Sequence, residues 1–227
     1  MCLTVRNHFE VPFMRSSTKS ILSLVLILTL TFTGSSCSLN EKSFDLLAAS
    51  KKVGAKEVGV TGFKENMGYK NRDNPIYVNE TGVDAQELFD TTINRFGNLP
   101  DVKITKATAM YYPLSDDDGN WHFVLAYSFS FETKKDAKAF YQYYQEEITD
   151  KYDDGGNERL ESGTASKGYE YTIGGMKKDN GNSIVWSVYL YEDQAVLIYV
   201  SAEDKSEPKP IRKISASMGV ISPYSIF

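Results

Sequence analysis

The chain has 227 residues, 41% hydrophobic and 24% charged, with 25 basic against 30 acidic side chains and a formal charge of −5. This composition supports one or two hydrophobic cores and excludes a collagen-like repeat or a wholly disordered chain. Both cysteines, Cys2 and Cys37, fall in the first sixth and the only histidines are His8 and His122, so the rest of the chain has no disulfide framework, no thiolate metal cluster and little histidine chemistry.

Ile21 to Phe32 reads ILSLVLILTLTF, an uncharged run of twelve in which nine are apolar. A bilayer span needs about 20 such residues and a signal-peptide core about 7 to 15, so the run has the length of the second. Arg15 and Lys19 precede it, and Gly34, Ser35, Ser36 and Cys37 follow. The ending TGSSC resembles the lipobox of bacterial lipoproteins, with Gly34 where that family prefers leucine. The resemblance implies cleavage after Ser36, a diacylglycerol thioether on Cys37, and an extracytoplasmic protein held to the bacterial cell membrane by acyl chains such as palmitate. A thiolate is the soft nucleophile that such alkylation needs. Glu10 and Pro12 sit oddly ahead of the basic flank, whereas Met14 opens a tighter version, MRSSTKS; translation is therefore expected to begin at Met14.

The expected organisation is a signal peptide over 1–36, a lipidated N-terminus and tether over 37–42, a helical part over 43–101, and an α+β part over 102–227 that joins it in one unit. Removing residues 1–36 deletes Arg6, Arg15, Lys19 and Glu10, which leaves 22 bases, 29 acids and a charge of about −7. An acidic body argues against nucleic acid as partner and against a polybasic contact with anionic lipid. The acyl chains are then expected to supply the anchoring.

In the mature chain, Phe44, Leu47, Ala48 and Lys51 mark one face of a helix that Asn40 could cap and Gly54 could end. Residues 61–80 read as loop with a short strand at Ile76 to Val78. A second helix is expected from Asp84 to Phe96, with Asp84 and Glu87 at capping-box spacing and Leu88, Phe89, Ile93 and Phe96 as its stripe. The period then changes from 3.6 to 2. Ile104 to Tyr112 reads as a strand, and Trp121 to Phe131 reads as a clearer one. Trp121, Phe123, Leu125, Tyr127, Phe129 and Phe131 share one face, and His122, Val124, Ala126, Ser128 and Ser130 share a face expected to be wetter. Thr133 and Asp136 open a helix to about Thr149 with Ala137, Phe140, Tyr144 and Ile148 buried. Residues 150–166 are polar and glycine-rich and read as solvent loop. Strands at Gly168 to Ile173, Ser183 to Tyr191 and Ala195 to Ser201 form a meander, and a helix from Pro210 to Met218 closes the chain.

The expected fold is α+β, an antiparallel sheet of about five strands with helices packed mainly on one face. The order over residues 103–218, with an aromatic strand leading into SFETKKDAKAFY, resembles small Gram-positive lipoproteins without an assigned activity. That resemblance carries no catalytic residue across.

Candidate chemistry is sparse. Asp116 and Asp118 in SDDDGN invite a calcium loop, but counting from Asp116 puts Trp121 at the glycine position and Tyr127 at the glutamate position, so they remain weak metal candidates beside the reading of a hairpin turn. Asp153 and Asp154 read the same way. His122 lacks a serine or carboxylate partner identifiable from sequence, and no phosphate-cradling glycine motif occurs. No catalytic residue and no cofactor is assigned. Among fifteen tyrosines, Tyr141 and Tyr143 fall off the buried stripe of their helix and are expected to form an exposed aromatic patch for a cell-wall, peptide or protein partner. A membrane-anchored binding protein is the leading reading. An envelope enzyme and an accessory subunit of an envelope complex are the alternatives.

Overall fold

The structure, a computed structural model, describes residues 44–65, 74–93, 99–114, 122–152, 155–178, 181–203 and 206–227. In chain order its elements are α1 (Leu46–Lys52), β1 (Lys56–Glu57), α2 (Val60–Glu65), β2 (Ile76–Thr81), α3 (Gly82–Thr92), β3 (Ile104–Pro113), β4 (Phe123–Phe131), α4 (Lys134–Lys151), β5 (Glu158–Thr164), β6 (Glu170–Lys177), β7 (Ser183–Tyr191), β8 (Gln194–Ala202), α5 (Lys209–Met218) and a 3-10 turn at Pro223–Ile226.

The strands form one sheet in the order β1-β2-β3-β4-β8-β7-β6-β5. The fold is α+β as expected, but the sheet has eight strands rather than about five. It is also mixed, because β1 runs parallel to β2 and every other neighbouring pair is antiparallel. The chain leaves β4 through α4, crosses to the far edge at β5, and returns through the meander to lay β8 beside β4. The segment 158–164, expected as loop, is therefore a strand. Its polar side chains are mostly exposed, and it is held by the backbone ladder to β6 rather than by an apolar face.

Helices cover both faces, which corrects the expectation of one. On the first face, α3 and α4 pack on Phe129, which is fully buried. Its ring lies 5.1 Å from that of Phe89 in α3 and 5.6 Å from that of Phe140 in α4. Phe129 is flanked across the sheet by Ala107 of β3 and Ala195 of β8, and these small neighbours let the two helices come close around one large side chain. On the second face, α1 and α5 pack on Val124, Ala126, Val196, Ile198 and Val200, all of them fully buried. Val124 and Ala126 are thus core residues of a second layer rather than a wetter surface.

Local sequence explains most helix ends. Thr133, in extended backbone, accepts a hydrogen bond from the Asp136 N–H at 3.1 Å, while Asp136 and Lys151 complement the dipole of α4. Asp45 rather than Asn40 caps α1, accepting from the Ala48 N–H at 2.8 Å. The helix buries Leu46, Ala49 and Ser50 instead of Leu47, Ala48 and Lys51; Phe44, two residues ahead of it, lies edge-on to Tyr169, Tyr189 and Tyr191 and constrains its rotation. In α3 the cap position is Thr81 without a side-chain cap bond, and the expected continuation to Phe96 lies outside the described residues.

Two adjacent glycines position the layers. A β-carbon on Gly174 would lie 2.6 Å from both Ile148 and Tyr152 of the α4 end. One on Gly175 would lie 2.9 Å from the Ile184 carbonyl and 3.1 Å from the Phe227 ring on the opposite face. Their absence lets α4 and the C-terminal segment clamp β6 from both sides.

Candidate functional site

Beyond the end of α3, the sheet on the first face is not fully covered. At Phe129 the strands on either side contribute alanine, but two rows further along β4 the row reads Tyr111, Leu125 and Tyr199. These large side chains occupy the level that the helices fill elsewhere, and α3 stops at Thr92. What remains is a half-open groove of about 280 Å³. Phe123, Leu125, Tyr127, Leu197 and Tyr199 of the central strands form its floor, with Trp186 of β7 at one side and Thr92, Ile93 and Tyr144 as its helical walls.

An aromatic chain crosses four strands along that floor. Tyr111, Phe123, Tyr199 and Trp186 follow one another at ring separations of 5.9, 5.4 and 5.4 Å, and the last contact is edge to face. Lys151, the last residue of α4, places its ammonium 4.6 Å from the centre of the Trp186 ring and 5.8 Å from that of Tyr152. Tyr111 is buried, whereas Phe123, Leu125, Trp186 and Tyr199 keep part of their surface accessible.

The polar groups of the described lining residues are hydroxyls and the Trp186 indole N–H. Tyr127 is hydrogen-bonded to the Thr92 side chain, and burial raises the Tyr127, Tyr144 and Tyr199 hydroxyls above the ordinary phenol range. For Tyr144 the neighbouring Tyr143, Tyr127 and Glu147 add to the rise. Phenols shifted in this direction stay protonated at neutral pH and act as donors rather than bases. Among the described residues that line the groove there is no carboxylate, imidazole, thiol or amine.

A second, more polar cavity of about 190 Å³ lies on the other face, where the chain enters the fold. There the Phe44 N–H donates to Gln194 Oε1 at 3.1 Å and Ser128 Oγ donates to the Phe44 carbonyl at 3.2 Å. Lys106, Thr108 and Ser130 complete its rim.

The sequence candidates fall elsewhere. Tyr141 is only 2% exposed, and its hydroxyl lies 3.1 Å from Thr172 Oγ1, a buried atom that also meets Gln145 and Ser162. The expectation that Tyr141 is exposed is corrected: β7 and β6 extend the sheet beneath α4, so its buried arc is wider than the stripe read from sequence. Tyr143 is half-buried against Tyr144 at 5.3 Å and does not line the groove. Asp116 and Asp118, like Asp153, Asp154 and Cys37, lie outside the described residues. Among the described residues no group of three or more His, Cys, Asp or Glu side chains comes together as a metal site, and no helix is long and apolar enough to cross a membrane. His122 is buried at the start of β4, its carbonyl accepting from the Leu114 N–H at 3.0 Å.

The groove residues share no site motif in the sequence. Phe123, Leu125, Tyr127 and Tyr144 read as core, and Trp186 and Tyr199 as strand residues. The signal that could have flagged them is a strand whose large residues continue beyond the length that two helices can cover.

No protein-family model matches this chain, and no curated protein matches it. Among solved structures, the extracellular domain of PknH from Mycobacterium tuberculosis is similar at a TM-score of 0.37 and 12% identity, covering 71% of this chain and 89% of that one.

Proposed function

We propose that this protein is an extracytoplasmic lipoprotein, held to the bacterial cell membrane by acyl chains on Cys37, whose folded body binds rather than transforms its ligand. The binding site is the groove between α3 and α4, and it takes an apolar group carried by a peptide, a cell-wall component or a small molecule. The observation that carries this reading is the lining: aromatic and aliphatic surface edged by protonated hydroxyls, with no convergent charged or nucleophilic groups among the described lining residues. A volume of about 280 Å³ lies at the lower edge of the range for small-molecule pockets, roughly 300–1,000 Å³, so the groove accepts one ring or a short branched chain. The basic flank, the apolar run of twelve and TGSSC support the anchor.

Two measurements test the two halves separately. Metabolic labelling with a fatty-acid analogue should mark the wild type and spare Cys37→Ala; labelling that persists in the variant defeats the anchor. A ligand-observed NMR screen of aromatic and aliphatic fragments and short apolar peptides should give saturable hits that Tyr199→Ala abolishes and Tyr143→Ala retains. Hits indifferent to Tyr199, or none at all, defeat the groove.

A further inference from the structure

The face covered by α1 and α5 carries a charge pattern opposite to that of the body. Its two helices contain five cations, Lys51, Lys52, Lys209, Arg212 and Lys213, all exposed, and no acid. On the opposite face, α3 and α4 carry four lysines against seven acids. Four described acids at the margin of this face keep their charge but are held by bonds of their own. Asp45 caps α1, Glu57 accepts from the Tyr77 hydroxyl, Glu161 accepts from the Tyr171 hydroxyl, and Glu207 pairs with Arg212 at 2.9 Å and accepts from Ser222. Lys51, Lys52, Lys209 and Lys213 belong to no ion pair among the described residues.

Folding stability does not account for this cluster. Lys51 and Lys52 close α1, where the helix dipole favours them, but Lys209, Arg212 and Lys213 occupy the first half of α5, where it disfavours cations. Lys209 and Lys213 also stand four residues apart on one helix face and repel each other. An anion outside the chain relieves both terms.

The attachment of the chain says which anion. Phe44 is pinned at the start of β8, and α1 begins two residues later. Seven residues at about 3.5 Å each separate Phe44 from Cys37, a reach of no more than about 25 Å. On the lipidated-Cys37 reading, on which the orientation rests, this end of the body stays within that distance of the headgroups. The groove lies on the opposite face, with Tyr199 five residues along β8 from Gln194, or about 17 Å at strand spacing.

We propose that the α1/α5 face is a second membrane contact that rests on anionic phospholipid headgroups, and that it turns the groove away from the bilayer. The acidic net charge, which by itself argues against such a contact, is concentrated elsewhere on the molecule.

The test uses the full chain carrying Cys37→Ala, so that acyl chains contribute nothing. Partition onto vesicles of phosphatidylcholine with phosphatidylglycerol is measured against vesicles of phosphatidylcholine alone. The leader and its basic residues Arg6, Arg15 and Lys19 are common to every variant, so comparing variants cancels their contribution. Preference for the anionic vesicles should be clear at low salt and fall as salt rises. Lys209→Gln with Lys213→Gln should lower it by about 25-fold, at about fivefold per lysine. Lys135→Gln with Lys138→Gln on α4, an equal change in net charge at equally exposed positions, should leave it unchanged. All four sites are outside the core, and matched melting midpoints exclude a folding artefact. No preference for anionic vesicles, or equal losses from the two pairs, overturns the proposal. Failure of acyl labelling at Cys37 would instead remove the anchor and leave this ratio as measured.

Discussion

The two faces of the sheet bury their apolar surface by different means. The α3/α4 face centres on Phe89, Phe129, Phe131, Phe140 and Tyr144, which interlock between the strands and two helices. The α1/α5 face combines small and branched side chains of the central strands, Val124, Ala126, Val196, Ile198 and Val200, with an aromatic group around Phe44, Tyr169 and Tyr189. The cavity left on the first face is the apolar groove beside the end of α3, and the one left on the second is the more polar cavity where the chain enters the fold. The second face also carries the five exposed cations of α1 and α5.

Five substitutions break or sharpen that contrast. Phe129→Ala removes the ring around which α3 and α4 close and should cost about 3–5 kcal/mol, a large part of a typical 5–15 kcal/mol stability, read as a lowered denaturant midpoint. Ser128→Ala beside it loses one hydrogen bond to the Phe44 carbonyl and should cost about 1 kcal/mol. If the serine were the costlier of the two, the assignment of faces on β4 would be reversed.

Ile198→Ala tests whether the second face is equally structural. Ile198 is fully buried, and truncation should cost about 2–5 kcal/mol. A cost near zero in equilibrium unfolding would reduce α1 and α5 to an optional cover.

Gly174→Ala places a methyl group where Ile148 and Tyr152 already stand. Overpacking of this kind should cost about 1–3 kcal/mol, and a variant as stable as the wild type would mean that α4 can lift from β6 without loss.

The smallest effect concerns alkaline pH. The Tyr171 hydroxyl donates to Glu161 at 2.6 Å, and this bond, with burial and the charge of Glu161, raises its pKa to about 12. An unfolded phenol ionises near 10, so the folded state holds the proton longer. This contribution is complete below pH 10 and is lost as pH rises toward about 12. A pH series of melts should show Tyr171→Phe closing on the wild type across that window. A gap that widens there would reverse the sign.

Much of the fold could be read directly from the chain. Thr133 and Asp136 mark the start of α4, Gly54 the end of α1, and the alternation through Phe123–Phe131 marks β4. The edge strands could not be read this way. ERLESGT has the composition of a loop, because an edge strand held by backbone hydrogen bonds needs no apolar alternation. The groove was equally hidden, since Thr92, Phe123, Tyr144, Trp186 and Tyr199 come from five elements and share no motif.

The sequence by itself determined the local terms: the apolar run and its cysteine, the Thr133 cap of α4 and the strand that carries the large side chains. Each of these depends on residues within a few positions of one another. Only the tertiary structure decided that Val124 and Ala126 face a second layer, that Tyr141 turns inward, and that five cations gather on one side of an acidic protein. Those outcomes depend on contacts such as Phe44 to Gln194, 150 residues apart. The order in which β8 returns to β4 sets them, and no local pattern encodes that order.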